Sequence, residues 1–143
     1  MQTDLQAGQL LARGVMRHLR SLDFASLAEF TPTSGLRVDV IAIGPKGEIW
    51  IVECKSSKSD FQTDKKWQGY LPWCDRFFWA VSPDFPTELL PAETGLIFAD
   101  GYGAELIKDA PLDQLSAARR KKILLKFARN SADRLQAQTD PKR

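Results

Sequence analysis

The sequence predicts an α/β fold, a mixed sandwich of helices around a single mixed β-sheet. Three observations carry that expectation. Short apolar runs rich in Val, Ile, Phe and Trp alternate with segments of helical period, and none approaches the ~18 residues of a membrane span. Two pairs of these runs are joined by glycine-bearing loops of hairpin length, GPKG (44–47) and GYG (101–103). A chain of 143 residues, 43% hydrophobic and 27% charged, has the size and composition of one globular domain.

The elements follow in order. A first helix opens on the capping box Thr3-x-x-Gln6, and Leu11, Val15, Leu19 and Leu22 then form an apolar stripe for a sheet. FASLAEF (24–30) reads as the first strand, ended by the turn residues TPTSG. LRVDVIAI (36–43) is the second strand and EIWIVECK (48–55) the third, with GPKG between them. Ser59-x-x-Gln62 is another capping box, opening a helix that must stop before Pro72, since the residue ahead of a proline is driven out of helical geometry. RFFWAVS (76–82) is a strongly apolar fourth strand. PDFPTELLPAET carries a short helix, and GLIFAD (95–100) and AELIKD (104–109) make a last hairpin. A long helix runs from about Ser116 to residue 137, giving a single domain over 1–137 and a polar tail at 138–143.

Composition excludes several chemistries. Cys54 and Cys74 are too few for a disulfide framework or a four-ligand zinc site, and two reduced, buried thiols are the simplest reading. His18 is the only histidine, so a histidine triad or histidine–metal motif would rest on one residue whose helical neighbours bring it no partner. The N-terminus MQTDLQAGQLLARG lacks the basic start and apolar block of a signal peptide, which points to a cytoplasmic protein. A net charge of +2 decides nothing about nucleic acid until its distribution is known.

The third strand ends on charge. Ile49 to Val52 suit a strand covered on both faces, yet Glu53 and Lys55 follow at once. Side chains alternate along a strand, so Ile49, Ile51, Glu53 and Lys55 share one face. On the second strand Arg37, Asp39, Ile41 and Ile43 share a face, with Val38, Val40 and Ala42 opposite. Counting back from GPKG sets Asp39 level with Glu53, so two carboxylates and an amine converge beside apolar surface. Like charges held together disfavour joint ionisation unless a cation separates them. An oxygen-rich set without histidine favours a hard ion such as Mg²⁺. That is the outline of a phosphodiester-hydrolysing site. An ion pair at a sheet end accounts for the same residues. Asp64-x-Lys66 and Asp140-x-Lys142 repeat the bare pattern in a helix and in the tail, so spacing alone is a weak signal.

The stretch RVDVIAI…GEIWIVECKSSKSDF resembles the PD-(D/E)xK nuclease superfamily, and the chain looks like the MmcB-type bacterial DNA-repair proteins. The likeness continues through LAEF, WAVSPDFP, TGLIFADGYGAEL and ARRKK. It implies a restriction-endonuclease-like three-layer fold, a central mixed β-sheet flanked by helices. It also implies a metal-dependent DNA endonuclease acting in repair, with Mg²⁺ (or Mn²⁺) as cofactor. Carried over by residue, Asp39 and Glu53 would bind the metal with the backbone carbonyl of Cys54, and Lys55 would position the attacking water. Many superfamily members add a glutamate from the first helix; here that helix has none, and Glu29 on the first strand could substitute. Val38 also stands where the pattern has a proline. The missing helix glutamate favours an alternative, a catalytically weak or inactive nuclease fold serving as a DNA-binding or adaptor protein in a repair complex.

DNA and DNA-repair proteins are the expected partners, and a homodimer is left open. On a helical wheel the last helix sets Ile123, Leu124, Phe127, Ala128 and Leu135 against a stripe of Arg119, Lys122, Lys126 and Arg129. That stripe could contact phosphates or be a solvated face. Lys58, Lys65 and Lys66 are further candidates for guiding a DNA backbone. Trp67, Tyr70 and Trp73 could stack on bases, although core packing is the stronger expectation.

Overall fold

Alternation of apolar side chains lays the strands into one six-stranded sheet in chain order, β1-β2-β3-β4-β5-β6. The computed structural model describes residues 6–141, so Thr3 of the expected first capping box lies outside the described residues. The strands are β1 (Ala25–Thr33), β2 (Leu36–Ile43), β3 (Ile49–Cys54), β4 (Arg76–Val81), β5 (Gly95–Ala99) and β6 (Ala104–Lys108). β1, β2 and β3 pair antiparallel, β3, β4 and β5 parallel, and β5 with β6 antiparallel. The sheet is therefore mixed, as the sequence predicts.

Helix α1 (Ala7–Ser21) crosses one face, burying Leu11, Ala12, Val15 and Leu19 against Val40, Ala42, Val52, Phe78 and Ile97. Leu22 does not join this stripe: the helix ends at Ser21, and Leu22 is exposed. Gly14 lets α1 rest directly on the β5–β6 turn, because a Cβ there would lie 1.8 Å from the Asp100 carbonyl oxygen. The opposite face carries the second core, with Phe30, Ile41, Ile49, Ile51, Phe77 and Trp79 under helix α3 (Ala117–Thr139) and its Ile123. Helices on both faces of a sheet give the expected three layers. Among the described residues no helix is long and apolar enough to cross a membrane.

Three local readings are corrected. β1 continues through Thr31, Pro32 and Thr33, and the turn is left to Ser34 and Gly35, whose φ of 79° suits glycine. Pro32 is tolerated because β1 is an edge strand. The expected second helix is two pieces, α2 (Lys58–Thr63) and a 3₁₀ segment (Trp67–Trp73) that contains Pro72. Its cap is Ser57, whose hydroxyl accepts the Asp60 N–H at 3.0 Å, rather than Ser59. The last helix extends to Thr139, two residues beyond the expected end, with Ser116 as its cap.

Asp75, 3% exposed, ties the start of β4 to its surroundings. Its carboxylate accepts the Ile49 N–H (2.7 Å), the Leu115 N–H (2.9 Å) and both guanidinium amines of Arg120 (2.6 and 2.8 Å). Burial opposes ionisation there, but the bonds from Arg120, Leu115 and Ile49 outweigh it and hold the carboxyl below its usual range.

Candidate functional site

The β2–β3 ladder runs from Ile43↔Ile49 to Val40↔Val52, so its next step sets Asp39 opposite Glu53. There side chains replace the backbone rungs. The Asp39 N–H donates to Glu53 Oε1 at 2.7 Å, and the Cys54 N–H donates to Asp39 Oδ2 at 2.8 Å. Each carboxylate thus clasps the neighbouring strand with one oxygen and leaves the other unspent by the backbone.

A distortion in β1 and β2 prepares this arrangement. Glu29 has φ 54°, a left-handed conformation unusual for a glutamate, and the β1–β2 register sets it beside Asp39. Leu27 and Phe30 can then both face the second core despite their odd spacing. β2 turns over with its partner: Val38 joins Ile41 in the second core, where simple alternation would place it with Val40. Arg134 of α3 holds the kink by donating to the carbonyls of Ala28 (2.6 Å) and Glu29 (2.9 Å).

Electrostatics at the pair are those of two acids short of a counter-charge. Burial, then the neighbouring Asp39, pushes the Glu53 carboxyl up to about 9; burial also raises Asp39. Lys55 does not bridge them. Its ammonium pairs with Asp64 Oδ2 at 2.8 Å, both side chains less than a tenth exposed. Burial alone would lower the Lys55 pKa, but the bond to Asp64 outweighs it and keeps the amine charged. Tyr70 lies against Glu53, and burial followed by the Glu53 charge pushes its phenol up.

The pair opens into a cleft of about 1420 Å³ lined by residues of α1, β1, β2 and the segment after β3. Glu29, Arg37, Asp39, Glu53, Lys55 and Tyr70 all line it. Among the described residues no group of three or more His, Cys, Asp or Glu side chains is gathered as a metal cluster. A buried and a half-buried carboxylate, each with an oxygen the backbone does not take and no imidazole beside them, nonetheless fit a hard divalent ion, which would relieve the repulsion that raises Glu53. The Cys54 thiol is buried in the core under α1, and burial pushes it well above its ordinary value, so only the main chain of Cys54 belongs to the pair.

A family model described as "DNA repair protein MmcB-like" matches residues 2–142. The chain belongs to the MmcB-like family. A solved structure, the "SPO1766 protein of unknown function from Silicibacter pomeroyi", is 62% identical with a TM-score of 0.95. The likeness covers 97% of this chain and 95% of that one. No curated protein matches the chain.

In this MmcB-like protein Lys66 lines the cleft, whereas Lys58 and Lys65 are exposed nearby without lining it. Arg119, Lys122, Lys126 and Arg129 are on α3, none of them lining the cleft. Arg119 is not a free surface charge: it stacks on Trp73 at 4.0 Å and donates to the Pro72 carbonyl at 3.0 Å. The expected apolar face of that helix is also corrected. Ala128 and Leu135 are exposed, and the inward row is Arg120, Ile123, Leu124, Phe127 and Arg134, two of its members drawn in by carbonyl and carboxylate partners. Trp67 and Trp73 pack against the second core.

Sequence reasoning missed the rest of the MmcB-like cleft. Arg13, Arg17 and Arg20 line it from α1, and their spacing of four and three was a readable signal. Asp64, set aside as part of a helical decoy, is the C-cap of α2 and the partner of Lys55. Nothing in the spacing pointed from Tyr70 to Glu53.

Proposed function

We propose that this protein is a metal-dependent DNA endonuclease acting in repair, hydrolysing phosphodiester bonds at the Asp39–Glu53 pair. One observation carries the reading: the buried Glu53 and the half-buried Asp39 meet beside a charged lysine and open into a cleft with arginines on its wall. Asp39 and Glu53 would hold Mg²⁺ or Mn²⁺ together with the Cys54 carbonyl, and Glu29 could add a further donor. Once bound, the ion lowers the pKa of a water and neutralises charge developing on the phosphate. Asp64 fixes the Lys55 ammonium, which orients that water and donates to a phosphate oxygen. Membership of a DNA-repair family supports DNA as the substrate and other repair proteins as partners.

The test is purified protein with Mg²⁺ or Mn²⁺ on duplex, single-stranded and branched DNA, beside Lys55→Ala and Asp39→Asn. Cutting by the wild type, reduced by ~10²–10⁴-fold in either variant, is the expected outcome. A second reading, a DNA-binding or adaptor protein without catalysis, draws on Lys55 being spent on Asp64 rather than on the pair. Salt-sensitive binding without cutting, unchanged in Lys55→Ala, would establish it instead.

A further inference from the structure

The cleft has two unlike ends. At one end Asp39 and Glu53 clasp β2 to β3 and Asp64 holds Lys55, while Asp23, Glu29 and Asp60 also line the cleft. The α1 wall is cationic: Arg13, Arg17 and Arg20 recur at one helical face and line the cleft, Arg13 being tied to the β5–β6 turn through its bond to the Gly101 carbonyl at 2.8 Å. Arg17 and Arg20 are exposed and have no ion-pair partner among the described residues. Arg37, exposed on β2, and Lys66 add positive charge to the same cleft and are likewise unpaired among the described residues. The floor is made by small side chains, Ser26 and Ala28, which leave the trough open. Its volume exceeds the ~300–1,000 Å³ of small-molecule pockets, so an extended ligand fits it better than a metabolite does.

We propose that the DNA backbone reaches the Asp39–Glu53 pair along α1, its phosphates held by Arg17 and Arg20 with Arg37 and Lys66 opposite, and that the basic stripe of α3 is outside this track. The inference rests on the DNA reading above and adds the direction of approach. It follows from placement: the α1 arginines share a cleft with the acids, whereas α3 covers the other face of the sheet and its Arg119 is stacked on Trp73. A track of this kind holds phosphates by charge, so its affinity is sequence-independent and falls with salt.

The experiment measures fluorescence anisotropy of a labelled oligonucleotide, single-stranded and as duplex, over a salt titration in EDTA, with the full chain. Arg17→Glu with Arg20→Glu is compared with Lys122→Glu and Lys126→Glu, an equal change of charge on α3. Both pairs are exposed, and matching thermal unfolding verifies that each variant is folded. The α1 variant is expected to bind at least ~10-fold more weakly, with the slope of log affinity against log salt reduced by roughly 1.5, about 0.7–0.9 for each lost phosphate contact. The α3 variant should stay within about twofold of wild type, small beside the steep dependence of phosphate contacts. Equal losses in the two variants, a loss confined to the α3 variant, or a wild type without salt-dependent affinity would each overturn the track. A wild type that binds through α1 but cuts nothing when metal is added supports the track and overturns only the nuclease reading.

Discussion

Glu53 is where the needs of the sheet and the chemistry of a carboxyl group conflict. Its Oε1 replaces a ladder carbonyl for the Asp39 N–H, yet the group is 3% exposed and faces another acid. With the folded carboxyl raised to about 9 from 4.5, its contribution to stability is fully present below pH 4.5 and is lost as pH rises through about 9. Glu53→Gln keeps the acceptor without the charge. In EDTA it should therefore unfold at a higher temperature than wild type at pH 8, with the difference vanishing near pH 5, and it should lose any stabilisation that Mg²⁺ gives the wild type. Thermal melts across that range check all three points. Asp39 needs similar care. Asp39→Ala strands the buried Cys54 N–H, costing about 1–3 kcal/mol, whereas Asp39→Asn retains an acceptor and should melt closer to wild type. The pairing of these two residues was legible, because strand alternation and the position of GPKG are enough to set Asp39 level with Glu53. The partner of Lys55 was not. Finding it requires knowing that α2 is only six residues long and releases Asp64 at its end.

At the scale of elements, the kink in β1 and the helix that holds it form one unit. A left-handed glutamate costs about 1–2 kcal/mol relative to ordinary geometry, and Arg134 offsets this with two bonds to the carbonyls around it. Glu29→Gly should raise stability by about 1 kcal/mol in denaturant unfolding, and Arg134→Ala should lower it by about 1–3 kcal/mol. On the proposed metal-dependent reading, a Glu29 that donates to the ion would make the glycine variant more stable and yet raise the Mg²⁺ needed for half-maximal cutting. A residue that only shapes the strand would leave the Mg²⁺ requirement unchanged. The odd spacing of Leu27 and Phe30 is the trace such a kink leaves in FASLAEF, but it does not say which residue turns left-handed. The same limit explains α3. On a helical wheel Arg120 and Arg134 fall on the side of Ile123, Leu124 and Phe127, but a reading by polarity passes over both, and only the sheet shows the carboxylate and carbonyl acceptors that draw them in.

For the whole molecule, the sheet lists its strands in chain order, which is why its architecture could be read from hairpin loops and apolar runs alone. The tie between its two halves could not. Asp75 joins β3, the segment before α3, and α3 itself, and its four acceptor contacts come from residues as far as 45 positions away. Asp75→Ala leaves Arg120 without its carboxylate and two N–H groups without acceptors, and should cost about 3 kcal/mol. The folded carboxyl lies below its unfolded value of 3.8, so its contribution holds above that pH and is lost as pH falls through the folded value. Acid unfolding of the wild type should accordingly steepen below pH 4, and Asp75→Asn should flatten that limb. The clasp between Asp39 and Glu53 has a further consequence for how the protein comes into being. Its bonds form only as β2 and β3 zip together, so a nascent or partly unravelled chain would hold its two acids apart and leave the site unassembled until the sheet has closed.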